Sequence, residues 1–288
     1  WKGSAVVSNN TISENQAASC GGAYLETYDE LIVTGNTITD NETPGSYGGL
    51  VVFGVESFTV SVSNNIISGN KAGYDGGGLF VGVYSIDVVG NTICGNEAGW
   101  DGGGLYVGAG SHTVEDNVIA DNIAGGSGGG IYLGSNYASV TNNDITGNQA
   151  LGQVDPEAAA MSATGGGAGI YLGWGSSAVT GNVISENTSS GDGGGGVHVM
   201  QGQHSLTNNT ISHNESTTDG GGIYCGEGAA VRLYGNELEY NSAQYNGGAV
   251  WKHAGALLAD NLGRPLPSPD SYNTYTGNTP DDIYYHVQ

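Results

Sequence analysis

Single aliphatic residues recur along the chain at fixed intervals, each fenced by small polar residues, and the intervals repeat instead of drifting at the period of an amphipathic helix. In the most regular unit an isoleucine or leucine lies between two asparagines, N-x-(I/L)-x-x-N. Asn10/Asn15, Asn36/Asn41, Asn65/Asn70, Asn91/Asn96, Asn117/Asn122, Asn143/Asn148, Asn182/Asn187, Asn209/Asn214 and Asn236/Asn241 follow it, most often 26 residues from one unit to the next. A small residue follows the second asparagine by two positions, as at Ala72, Ala98, Ala124 and Ala150. A glycine cluster then opens a stretch with strict alternation: GGGLFVG at 76–82, GGGLYVG at 102–108, GGGIYLG at 128–134, GAGIYLG at 167–173 and GGGIYCG at 220–226. A last aliphatic residue precedes the next unit, in the column Val33, Val62, Val88, Val114, Val140, Val179, Leu206, Leu233.

Each unit therefore predicts three short strands separated by turns, none of them long enough or suitably spaced for a helix. Such strands cannot bury their apolar faces within one unit, but each can pair with its equivalent in the next, about 4.8 Å away. The fold class expected is all-β: a single-stranded right-handed parallel β-helix of about ten coils of roughly 26 residues, three strands per coil, roughly 48 Å long. Asparagine tolerates the left-handed conformation of a sharp corner, and its amide can donate to the same amide one coil on. The pairs thus predict buried amide ladders, which would close the N-x-S/T matches at Asn41, Asn187 and Asn214 to glycosylation.

One domain is expected over 1–288, with two departures from regularity. Residues 149–166 lengthen one spacing to 39 residues and form an inserted loop, whose Asp155 and Glu157 are candidate contacts. Residues 254–288 read as an irregular C-terminal coil and cap, broken by Pro265, Pro267, Pro269 and Pro280. The first coil shows no equivalent cap, so a preceding segment or another subunit is expected to cover it.

The order Ile93-Cys94-Gly95-Asn96-Glu97-Ala98, followed by Gly103-Gly104-Leu105-Tyr106, resembles the paired repeat motifs of the polymorphic outer-membrane protein family. It is equally similar to the wider class of right-handed parallel β-helix repeat proteins exposed on bacterial and archaeal surfaces. The resemblance spans about nine units and implies the fold. It implies no single activity, because the class holds adhesins, surface-layer components and polysaccharide-degrading enzymes. This chain usually has Ile where the polymorphic family favours Phe, and it shows no membrane-barrel segment.

Composition narrows the partners. With 28 acidic and 5 basic side chains the formal net charge is -23, which excludes a basic track for nucleic acid and disfavours anionic membranes and strongly anionic polysaccharides. The partners expected are other surface proteins, copies of the chain itself, or a neutral glycan, with no membrane insertion and an extracellular or cell-surface location. The cysteines, Cys20, Cys94 and Cys225, fall in different columns and read as small apolar fillers.

Candidate chemistry lies where columns carry reactive or stacking side chains. Phe80, Tyr106, Tyr132, Tyr171, His198, Tyr224 and Trp251, preceded by Val52 and Leu25, form an aromatic column that alternation turns outward, so it is the expected binding surface. Asp75 and Asp101 precede glycine turns in adjacent coils, where paired carboxylates suit calcium or, at such a separation, retaining glycoside hydrolysis. Asp192 and Asp219 sit at similar turns. No cofactor is required, and calcium is the candidate cation. The basic residues of pectate-lyase-like sites and the Gly-His-Gly pattern of polygalacturonase-like ones are missing. His112, His198, His204, His213, His253 and His286 converge on no acid and read as surface residues. The resulting expectation is a structural, adhesive or assembly module that contacts glycan or protein through its aromatic face. The competing one is a carbohydrate-active enzyme of the same fold using Asp75 and Asp101.

Overall fold

The computed structural model describes residues 4–54, 60–153, 165–260, 265 and 272–285. The inserted residues 154–164, with Asp155 and Glu157, and also Pro267, Pro269 and His286 lie outside them.

One coil shows the plan. Strand Thr92–Cys94 carries the isoleucine between the asparagines, Glu97–Ala98 the small residue, Leu105–Val107 the glycine-led stretch, and Gly110–Glu115 the last aliphatic column. These belong to sheets 1 to 4 of the coil, and every strand pairs in parallel with its equivalents above and below. Sheet 1 has ten strands and sheet 2 has eight, while sheets 3 and 4 count together as 19 because the continuous strand Ile131–Thr141 belongs to both. The coil thus has four strand segments, one more than its alternation suggests. Sheet 2 is the addition, a two-residue strand in the stretch that reads as a turn.

Inward-facing aliphatics of the four sheets form one core running through the stack. Ile93, Leu105, Val107 and Val114 are fully buried, as are Ile119, Ile131 and Val140 in the following coil. Ala98 and Ala124 face them from sheet 2, where the coil is too narrow for a longer side chain. The degenerate unit Asn273–Asn278 joins as the tenth strand of sheet 1, with Tyr275 pairing to Leu238 in the inward column.

Two asparagine ladders bracket sheet 1, and each interior amide in them is saturated. Asn143 receives the backbone N–H and the Nδ2 of Asn117 on its Oδ1, both at 2.9 Å. Its own Nδ2 donates to Asn182 Oδ1 at 2.9 Å and back to the Val114 carbonyl at 2.9 Å. The same four bonds recur through Asn36 to Asn236 in the first ladder and through Asn41 to Asn241 in the second, which begins at Asn15 and ends at Asn278. Asn41, Asn187 and Asn214 are wholly buried in it, so their N-x-S/T matches are closed.

The left-handed residue of each corner is not the ladder asparagine but the one before it. Asn9, Asn64, Asp116, Asn142 and Asn208 before the first ladder, and Asp40, Asp121 and Glu186 before the second, have φ between 54° and 58°. Glycines alternate with them in the same columns. At Gly181 a Cβ would lie 2.7 Å from Asn142 Oδ1, so the short polar side chain of one coil occupies the space that the next leaves empty. The ladder asparagine keeps an ordinary backbone because its N–H must point along the stack.

Adjacent asparagines therefore have opposite roles. Asn143→Ala strands the buried Asn117 amide and is expected to cost about 3 kcal/mol or more, whereas Asn142→Gly is expected to be neutral or to stabilise by up to about 1 kcal/mol. Chemical unfolding midpoints of the two variants check this.

Candidate functional site

The aromatic column is a continuous stack along sheet 3. Ring centroids are 4.8 Å apart for Phe80–Tyr106, 4.7 Å for Tyr106–Tyr132, 5.0 Å for Tyr132–Tyr171, 5.2 Å for Tyr171–His198, 4.6 Å for His198–Tyr224 and 4.4 Å for Tyr224–Trp251. Its register below Phe80 differs from the sequence alignment: Val51 and Tyr24 continue it, while Val52 and Leu25 belong to the neighbouring column of Val81. A longer second unit, with Leu50-Val51-Val52-Phe53, hides that slip of one residue.

This column is not the exposed face expected of it. Phe80 is 9% exposed, Tyr171 4%, His198 3% and Trp251 6%, and Tyr106, Tyr132 and Tyr224 are half-buried. The rings point away from the core, yet each is covered by its neighbours in the stack and by the glycine turn that opens its own strand. A Cβ on Gly102 would meet Tyr106 Cβ at 2.6 Å, and one on Gly193, in the glycine turn of the preceding coil, would meet Tyr224 Cδ2 at 2.6 Å. Burial, and then the carboxylates of Asp75, Asp101, Asp192 and Asp219, hold the phenols of Tyr106, Tyr132, Tyr171 and Tyr224 well above their ordinary range.

The Asp-Gly turns also serve the stack. Asp75 Oδ1 accepts the backbone N–H of Asp101 at 3.2 Å, and Asp101 Oδ1 accepts that of Ser127 at 2.7 Å. Asp219 Oδ1 accepts the side-chain amide of Asn246 at 2.9 Å. As a metal or catalytic pair, Asp75 and Asp101 would share these carboxylates with the coil above. Among the described residues no group of three His, Cys, Asp or Glu side chains is arranged to hold a metal ion.

A different surface stands clear of the stack. At the corner where sheet 3 turns into sheet 4, Tyr84, Tyr137 and Trp174 are 63%, 67% and 50% exposed. The corner bends at Gly110, Gly175 and Gly202, whose φ values are 153°, 114° and 100°. Beside it, on the outer face of sheet 4, opens a hollow of about 330 Å³ bordered by Ser176, Gln203, Ser205, Arg232 and Leu257. The alternation of sheet 4 places Ser205 and Arg232 in one outward column. Sequence reasoning missed this place. Its signal is an aromatic one to three residues beyond the glycine that ends the apolar motif, at Gly82-Val83-Tyr84, Gly134-Ser135-Asn136-Tyr137 and Gly173-Trp174.

A family model described as the right handed beta helix region matches residues 2–119 and again 80–262. The chain belongs to the right-handed β-helix family. Comparison with curated proteins and with solved structures finds no match. The polymorphic outer-membrane family is not among these findings.

In this right-handed β-helix, three of the histidines expected at the surface are buried: His112, His198 and His204. His204 and Ser177 extend the ladder principle to the inner side of sheet 4. The Ala138 N–H donates to Ser177 Oγ at 3.2 Å, and the Ser177 N–H donates to His204 Nδ1 at 3.1 Å. His204 Nε2 lies 2.8 Å from the Gln201 carbonyl and so carries the ring proton. His213, by contrast, is exposed and stacks on Tyr240. Cys225 is a buried filler whose thiol is pushed up to about 12 by burial.

Burial lowers the pKa of all three buried imidazoles, and His198 reaches about 4. For His198 the unfolded chain takes up its proton below about 6.5 while the folded coil refuses it until near 4, so this contribution to stability is full above 6.5 and is lost as pH falls through that window. His198→Phe, which keeps the stack, is expected to lessen the loss between pH 7 and pH 4 by about 3 kcal/mol. Unfolding midpoints of both proteins across that range check it.

Proposed function

We propose that this β-helix is a non-catalytic module that acts by contact, in a structural, adhesive or assembly role at a cell surface or outside the cell. The observation that carries the proposal is the employment of its repeated reactive columns. The asparagines bond coil to coil, Asp75 and Asp101 accept backbone N–H groups of the next coil, and the tyrosines stack on one another. Exposed aromatic surface is left to meet a partner, and three such rings, Tyr84, Tyr137 and Trp174, gather at one corner of the coil. The net charge of -23 supports a soluble exterior location, and the resemblance of the repeat to polymorphic outer-membrane protein motifs supports a surface role.

The test is a turnover screen on a panel of polysaccharides, run beside sedimentation of the protein with glycans and with itself. The expected result is no product from any polysaccharide, together with measurable association. Product formation that disappears in Asp75→Asn or Asp101→Asn would overturn the proposal in favour of a carbohydrate-active enzyme.

A further inference from the structure

The corner aromatics are exposed rings that lie outside the sheet 3 stack. Among the described residues, Tyr84, Tyr137 and Trp174 stack on no other ring, although the repeat places them close together. Ser111 pairs with Ser85 on one side and Tyr137 on the other, and Ser135 pairs with Trp174. The three therefore fall within three neighbouring register positions of successive coils. Tyr84 and Tyr137 are two coils apart, roughly 10 Å, and Tyr137 and Trp174 are one coil apart and offset by two residues along the strand, roughly 8 Å in all. Gly110, Ser111, Gly175 and Ser176 are small neighbours on this surface, and each of the three rings keeps half or more of its area exposed.

The hollow continues this line. Ser176 follows Trp174 by two residues and borders the hollow, with the Ser205 hydroxyl, the Gln203 amide and the Arg232 guanidinium around it and Leu257 as an apolar wall. A volume of about 330 Å³ is at the small end of ligand sites and suits a sugar ring. Aromatic faces open to solvent, beside the hydroxyl, amide and guanidinium groups of the hollow, match a ligand that is apolar on one face and hydroxylated at its edge. Pyranose rings have that character: their axial C–H bonds pack on an aromatic face while their hydroxyls reach sideways. The coil spacing is close to the advance of one sugar unit in an extended chain. The charge of -23 repels polyanionic chains and leaves neutral ones unopposed.

We propose that a neutral pyranose oligosaccharide lies along this corner, parallel to the coil axis, stacked on Tyr84, Tyr137 and Trp174, with one sugar seated in the hollow against Ser176, Gln203 and Arg232. This rests on the reading of the chain as a contact module, and it names the partner and the place.

Calorimetric titration with linear neutral oligosaccharides (gluco-, xylo-, manno- and chito-oligomers) and with a uronate oligomer tests it, using the whole chain. At least one neutral series is expected to bind. Tyr137→Ala and Trp174→Ala are each expected to weaken that binding about tenfold or more, and Tyr245→Ala, an exposed tyrosine elsewhere, to leave it unchanged. Unfolding midpoints of all three variants are expected to match the parent, since these rings are exposed. No binding of any neutral oligosaccharide, preference for the uronate, or binding that survives both corner substitutions would each overturn the inference. A protein that ignores glycans but associates with itself would still be a contact module, whereas product release would remove that reading as well.

Discussion

One hydrogen bond, from the amide of an asparagine to the amide of its equivalent one coil on, sets the terms for the rest of this molecule. A β-helix must turn its chain sharply several times per coil, and each turn removes backbone groups from the sheet ladders without returning them to water. At Asn143 the side chain accepts the Asn117 backbone N–H and side-chain amide, and donates to the Val114 carbonyl and the Asn182 amide, so one backbone donor and one backbone acceptor are met at each rung. Because the bond needs the same residue at the same place in every coil, it also fixes register. With register fixed, Ile93, Ile119 and Ile145 stack inward in sheet 1 and Leu105 and Ile131 face them from sheet 3.

The same logic explains why the polar residues that look most like chemistry belong to the scaffold. A stack of identical coils brings equivalent side chains within about 5 Å of each other whether or not a reaction is at stake. Asp75 and Asp101, the tyrosine column, and Ser177 with His204 all bond or stack between coils. Function then falls where a column is broken: an aromatic present in one coil and replaced by glycine or serine in the next, as at Tyr84 beside Gly110 and, one register position on, Tyr137 beside Ser111.

Columns of one residue type were legible in the sequence, and positions defined by their departure from a column were not. The asparagine spacing and the single isoleucine between each pair give sheet 1 and both ladders directly. The left-handed residue escaped because Asn142 and Asn143 are the same letter, and only the backbone separates the one that bends from the one that bonds. Alternation correctly turned Tyr106 away from the core, but it carries no information about the glycine turn that covers the ring. His198 stands where other coils have tyrosine, so its burial follows from its neighbours and not from its own polarity. The corner at Tyr84, Tyr137 and Trp174 needs register across three coils of unequal connection, one of them lengthened by the insertion.

Native-state hydrogen exchange, read residue by residue, tests the primacy of the amide ladders most directly. The account predicts that the backbone amides of Asn65, Asn91, Asn117, Asn143 and Asn182 exchange as slowly as those of the core strands Leu105–Val107 and Ile131–Thr141, opening only with the whole coil. Exchange of those asparagine amides at the rate of the exposed corner residue Ser176, while the core strands remain protected, would contradict it.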